Sequence, residues 1–155
     1  MEQINDYMMN DHREVDAIFG RARSAAAAAD WTTVERDGEM FLRRIEQHIV
    51  MEETVLFPAF DEASGMSGAG PSQMMCSEHE LMRPMFAQMR AAAQAHDRAQ
   101  YLQAANSVHD ILQQHNMKEE QMMYPMADQA LGQQGAKSLV LELKKLALVT
   151  TTARA

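Results

Sequence analysis

Two stretches decide the reading of this chain: Gln47-His-Ile-Val-Met-Glu-Glu-Thr-Val-Leu-Phe-Pro-Ala-Phe-Asp61 and Gln114-His-Asn-Met-Lys-Glu-Glu-Gln-Met-Met-Tyr-Pro-Met-Ala-Asp128. Each sets a glutamate four residues after a histidine and follows it with an aromatic-proline pair and an aspartate. Working outward, His12 stands before His48 as His79 stands before His115, so the pattern His-x35-His-x3-Glu occurs twice. The steps from 12 to 79, 48 to 115 and 52 to 119 are each 67. The same offset pairs Met8 with Met75, Phe19 with Phe86, Arg23 with Arg90, Asp30 with Asp97, Glu53 with Glu120, Pro58 with Pro125 and Asp61 with Asp128. A chance resemblance of amphipathic helices would match apolar positions only. Here polar and capping positions are in register as well, which indicates a duplicated unit.

The punctuation makes that unit a helical hairpin. Residues 3–29 contain one glycine, no proline and an alanine run, Ala25 to Ala29, of strong helix formers. Asp30 reads as the N-cap of a second helix to about Ala63, and Asp97 as the cap of a fourth to about Leu131. Between them a loop, 64–72, carries Gly65, Gly68, Gly70 and Pro71, and a third helix runs to about His96. No stretch alternates with period two, so no sheet is expected. The predicted fold is all-α: an up-down four-helix bundle of two repeated hairpins over 1–132, with 133–155 a C-terminal amphipathic helix and tail packed on it, or serving as a dimer contact. Leu139, Leu143, Leu146 and Val149 form that last stripe.

Helical spacing aims the repeated polar residues inward. Ile4, Met8, His12, Val15 and Phe19 share one face, as do Phe41, Ile45, His48, Glu52 and Val55. The third helix aligns Met75, His79, Met82, Phe86 and Met89, and the fourth Val108, Leu112, His115, Glu119 and Met122. One histidine in an apolar stripe is usually a satisfied core residue. Four histidines and two carboxylates converging in one bundle need cations, because unpaired buried carboxylates each cost several kcal/mol. Imidazole and carboxylate donors suit iron, manganese or zinc. Symmetry assigns His12 and His48 to one metal, His79 and His115 to the other, and Glu52 and Glu119 as bridges.

With 155 residues and 46% hydrophobic content the chain has enough material for one core. A net charge of −8 speaks against nucleic-acid binding, which needs a cationic footprint. The polar N-terminus and the absence of a long apolar run predict neither signal peptide nor membrane span, and the single Cys76 suits a reducing, cytoplasmic setting. Fifteen methionines at helical spacing read as core packing. His96 and His109 fall outside the repeat and read as surface or supporting residues, and Cys76 as a small apolar residue. Glu53 and Glu120 either hydrogen-bond the ligand imidazoles or face solvent. Tyr7 and Tyr124 are minor candidates to approach a metal.

The motifs Asp-His-Arg-Glu at 11–14, His-Ile-Val-Met-Glu-Glu at 48–53 with Phe57-Pro58, Glu-His-Glu-Leu at 78–81, and His-Asn-Met-Lys-Glu-Glu at 115–120 with Tyr124-Pro125 resemble the hemerythrin-like (HHE) family of non-haem di-iron bundles. That resemblance covers about residues 5–130. It implies two iron ions, oxo- or hydroxo-bridged, on His12, His48, Glu52, His79, His115 and Glu119. The oxygen carriers it resembles have a further histidine where this chain has Met75, and their last bridging acid is an Asp five residues after its histidine, where Glu120 stands here. A thioether is a poor ligand for ferric iron, so both irons are expected to keep an open position. The resemblance therefore implies a small diatomic or peroxidic partner, oxygen, nitric oxide or peroxide, rather than reversible carriage. The four-His, two-Glu set is also similar to the di-iron domain of iron–sulfur cluster repair proteins. Those carry a cysteine-containing domain ahead of the bundle, whereas this chain starts at the first bundle helix, a departure that puts cluster repair in doubt and leaves oxygen, nitric oxide or peroxide binding open. The remaining alternatives are a non-catalytic iron or oxygen sensor read by a protein partner, and a structural zinc pair. A monomer or a homodimer is compatible with all three.

Overall fold

The structure, a computed structural model, describes residues 2–66 and 70–154, which are helical with no strand among them. Helix α1 spans Ile4–Ala27. Helix α2 is one continuous run over 31–64, opening with Trp31–Thr33 and closing with Phe57–Ser64. Helix α3 is Pro71–Gln94. The last run, Tyr124–Arg154, is broken at Gly132 (φ 74°, ψ 172°), so α4 covers 98–131 and α5 133–154. Consecutive helices pack against one another and α1 closes on α4, which completes an up-down bundle. Residues 67–69 of the predicted loop, Gly68 included, lie outside the described residues, as do Met1 and Ala155.

The 67-residue repeat is present in the backbone. The hairpins turn on Ala29 (φ 56°) and His96 (φ 53°), and α2 and α4 end on Gly65 (φ 73°) and Gly132 (φ 74°), all left-handed. The Asp30 side chain accepts from Thr33 N at 3.3 Å and that of Asp97 from Gln100 N at 3.0 Å. Further along, Asp128 accepts from Ile4 N and Asn5 N at 2.8 and 3.1 Å, capping α1 from the far end of the chain. Its counterpart Asp61 accepts from Ser72 Oγ at 2.6 Å at the start of α3.

One feature runs against the α-helical spacing. Glu52–Leu56 and Glu119–Met123 are π-helical turns, each starting at a repeated glutamate. A π turn inserts one extra residue and rotates everything after it. Consequently the stripes that α-helical spacing extends to Val55 and Met122 shift by one or two residues: Val55 is only partly buried and Met122 exposed, while Leu56, Phe57, Met123 and Tyr124 are buried. A third π turn, Val34–Gly38, has no counterpart in α4. There the Tyr101 hydroxyl would stand 2.9 Å from a Cβ on Gly38, so glycine is what admits the ring.

Two apolar clusters result. One joins Phe19, Phe41, Ile45, Phe86, Val108 and Leu112 at the hairpin-turn end. The other joins Met8, Met75, Leu56, Phe57, Met123 and Tyr124 at the opposite end. The latter also receives α5 through Ala136, Leu139, Val140 and Leu143, whereas Val149 of the predicted stripe is exposed. Gln47 Nε2 donating to Ala147 O at 3.0 Å and Lys144 paired with Glu2 hold α5 across α1 and α2. Between the clusters lies a polar layer.

Candidate metal centre

That layer contains all six residues singled out by the repeat. His12 and His48 come from α1 and α2, and His79 and His115 from α3 and α4. Their Nε2 atoms face inward and every one of the six is buried, Glu52 and Glu119 completely. Two groupings could each hold a cation: Glu52, His79, His115 and Glu119, and His12, His48 and Glu119. Glu52 reaches across the layer, with Oε1 at 3.1 Å from His79 Nε2 and Oε2 at 3.5 Å from His48 Nε2. Glu119 spans it the other way, its Oε1 lying 3.2 Å from His12 Nε2 and 3.4 Å from His115 Nε2.

Each imidazole is oriented by a carboxylate on its outer nitrogen. His12 Nδ1 pairs with Glu120 at 2.6 Å and His79 Nδ1 with Glu53 at 2.8 Å, while His48 Nδ1 pairs with Asp11 and His115 Nδ1 with Glu78, both at 2.7 Å. A carboxylate only accepts, so each Nδ1 carries a hydrogen, and Nε2 offers a lone pair to the centre once the ring has given up its second proton. Arg44 steadies Asp11, Arg83 steadies Glu53, and Lys118 steadies Glu78. Of these four carboxylates, sequence spacing leaves Glu53 and Glu120 as open alternatives and assigns no role to Asp11 and Glu78. A signal was there, since Asp11 and Glu78 are themselves 67 apart, each immediately before a repeated histidine.

The electrostatics show what this layer lacks. Burial opposes charge on His48, yet the Glu52 and Asp11 carboxylates outweigh it and hold that ring well above the ordinary histidine range. Burial likewise opposes charge on His79 and His115, but Glu52 raises the first and Glu119 brings the second to about 9. Burial would also lift Glu52, but His48 keeps its carboxyl well below the usual range. Protons thus stand in for positive charge. Even so Glu52 Oε1, His79 Nε2 and Glu119 Oε2 are buried without a hydrogen bond, the first two facing each other at 3.1 Å. Orphaned acceptors converging on one point fit a cation.

The other candidates fall differently. The hydroxyl of Tyr124 lies inside the layer, donating to Glu52 Oε2 at 2.6 Å, 2.9 Å from Glu119 Oε1 and 3.2 Å from both His12 and His48 Nε2. Tyr7 instead carries the Lys144 ammonium over its ring. Met75 and Met8 belong to the apolar cluster beneath the layer. His96 is exposed, stacked on Trp31, and His109 sits beside Phe19. Cys76 groups with Glu53 and His79, but burial and Glu53 push its thiol to about 11, so no thiolate is on offer at neutral pH.

A helical bundle whose core carries a buried, carboxylate-oriented His/Glu cluster is a metal-binding protein of the bundle type. The hemerythrin HHE cation-binding domain family matches residues 3–127, and the chain belongs to that family. It is 27% identical over 137 residues to an uncharacterized hemerythrin-like protein of Schizosaccharomyces pombe; the match takes in 86% of this chain and 64% of that protein. No solved structure matches the chain. Among the described residues no helix is long and apolar enough to cross a membrane.

Proposed function

We propose that His12, His48, Glu52, His79, His115 and Glu119 hold two non-haem iron ions, and that the pair binds or reacts with oxygen, nitric oxide or peroxide in a redox or stress response. The observation that carries this reading is the crossing of the two carboxylates: each reaches one histidine of either half, as bridging ligands must. Four nitrogen donors and two shared carboxylates leave each iron short of six ligands, whereas a closed zinc site would be satisfied with four.

Bound iron would supply one-electron exchange and a position for a small ligand. The protein supplies the remainder. Asp11, Glu53, Glu78 and Glu120 lock the imidazoles in orientation. The apolar clusters on either side exclude bulk water. Protons held on His48, His79 and His115 leave as a cation enters, so loading and proton release are coupled.

The test is anaerobic loading with ferrous iron followed by separate additions of nitric oxide, peroxide and oxygen, read by absorption. Saturable spectral change with at least one of them is expected. Bound iron that is inert to all three would overturn the reading and favour a structural or sensing role.

A further inference from the structure

The repeat that makes the two halves alike breaks at one position inside the site. Tyr124 lies 67 residues after Phe57, and these two residues follow the two π turns directly. Both are buried and both belong to the same apolar cluster. They differ by one oxygen atom. The Tyr124 hydroxyl reaches His12, His48 and one oxygen of each bridging glutamate, at 2.6 to 3.2 Å. Phe57 packs its ring over His79, with centroids 6.1 Å apart and planes 13° from parallel, and offers no polar atom. On that side Glu52 Oε1 and His79 Nε2 make no hydrogen bond and face each other, 3.1 Å apart.

We propose that the Tyr124 hydroxyl closes the His12–His48 half of the centre, so that a small exogenous anion or diatomic molecule is taken up only on the His79–His115 half, beside Phe57. This rests on the di-iron reading above. A ligand arriving on the first half would have to displace a hydroxyl already bonded to Glu52 and lying between two imidazoles. The ring is fully buried, so displacing the hydroxyl would require its packed neighbours to rearrange. On the second half no such hydroxyl intervenes, since the residue in the equivalent place is Phe57, stacked on His79. Tyr124 is thus a positioning residue that makes a symmetric ligand set unsymmetric in use.

The experiment is an azide titration of the ferric protein, with iron content measured on the same samples. Wild type should bind a single azide per iron pair, Tyr124→Phe should bind a second, and Phe57→Tyr should weaken azide by about tenfold or more. Two azides on wild type, or no gain in Tyr124→Phe at full iron content, would overturn the inference and leave the di-iron reading standing. Failure of wild type to load an iron pair would overturn both. The Phe57→Tyr arm adds an oxygen rather than removing one, so it reports on the same geometry if Tyr124→Phe folds poorly.

Discussion

Tyr101 and Cys76 show at the residue scale what burial does to groups the metal centre does not use. The Tyr101 hydroxyl is buried with no partner beside Gly38, and removing an unsatisfied donor carries little penalty. Tyr101→Phe should leave stability unchanged or raise it by up to about 1 kcal/mol in a urea titration. Burial pushes this phenol from 10 to about 12 in the folded protein. Its contribution is therefore fully present below pH 10 and lost as pH rises toward 12, and Tyr101→Phe should flatten that part of the alkaline stability curve. Cys76, held at about 11, should be alkylated by iodoacetamide at pH 8 far more slowly in the native protein than in urea; equal rates would contradict the burial described. The six inward residues were legible in the sequence because two copies of one pattern are hard to obtain by chance. Tyr124 was legible only as a minor candidate beside Tyr7, because spacing alone cannot tell a phenol in the core from one that reaches the polar layer.

At the scale of elements, the caps were legible and the π turns were not. Asp30 and Asp97 stand where a short acceptor side chain must satisfy a free helix N–H, and both do so. Asp97→Ala should cost about 1 kcal/mol, as expected for loss of an N-cap, measured by thermal or urea unfolding. Asp128→Ala should cost a similar amount, about 1 kcal/mol, even though Asp128 lies on α4, because it serves two N–H groups of α1. No loss in either variant would remove the capping account. The π turns escape a reading based on steps of three and four, since they are departures from that period. They matter because the extra residue lets a glutamate and the aromatic five positions later both turn inward, as Glu119 and Tyr124 do.

The whole molecule is two hairpins facing each other across a layer of four imidazoles and two shared carboxylates, with an outer carboxylate on every ring. Its charge balance makes metal loading depend on pH. Neighbouring carboxylates hold His115 at about 9 against an ordinary 6.5, so a cation must displace protons through that range. Iron affinity should therefore rise between pH 6.5 and about 9, a trend readable by competition with a chelator. Iron bound to the folded state alone should also raise the melting temperature, and chelation should lower it. The most direct measurement is the iron content per chain of the wild-type protein beside Glu52→Ala and Glu119→Ala, purified and loaded identically, with circular dichroism to verify folding. Six ligands shared by two ions predict about two irons per chain in wild type, falling to at most about one in either folded variant. At most one tightly bound metal in wild type, or full iron content in folded Glu52→Ala, would contradict it.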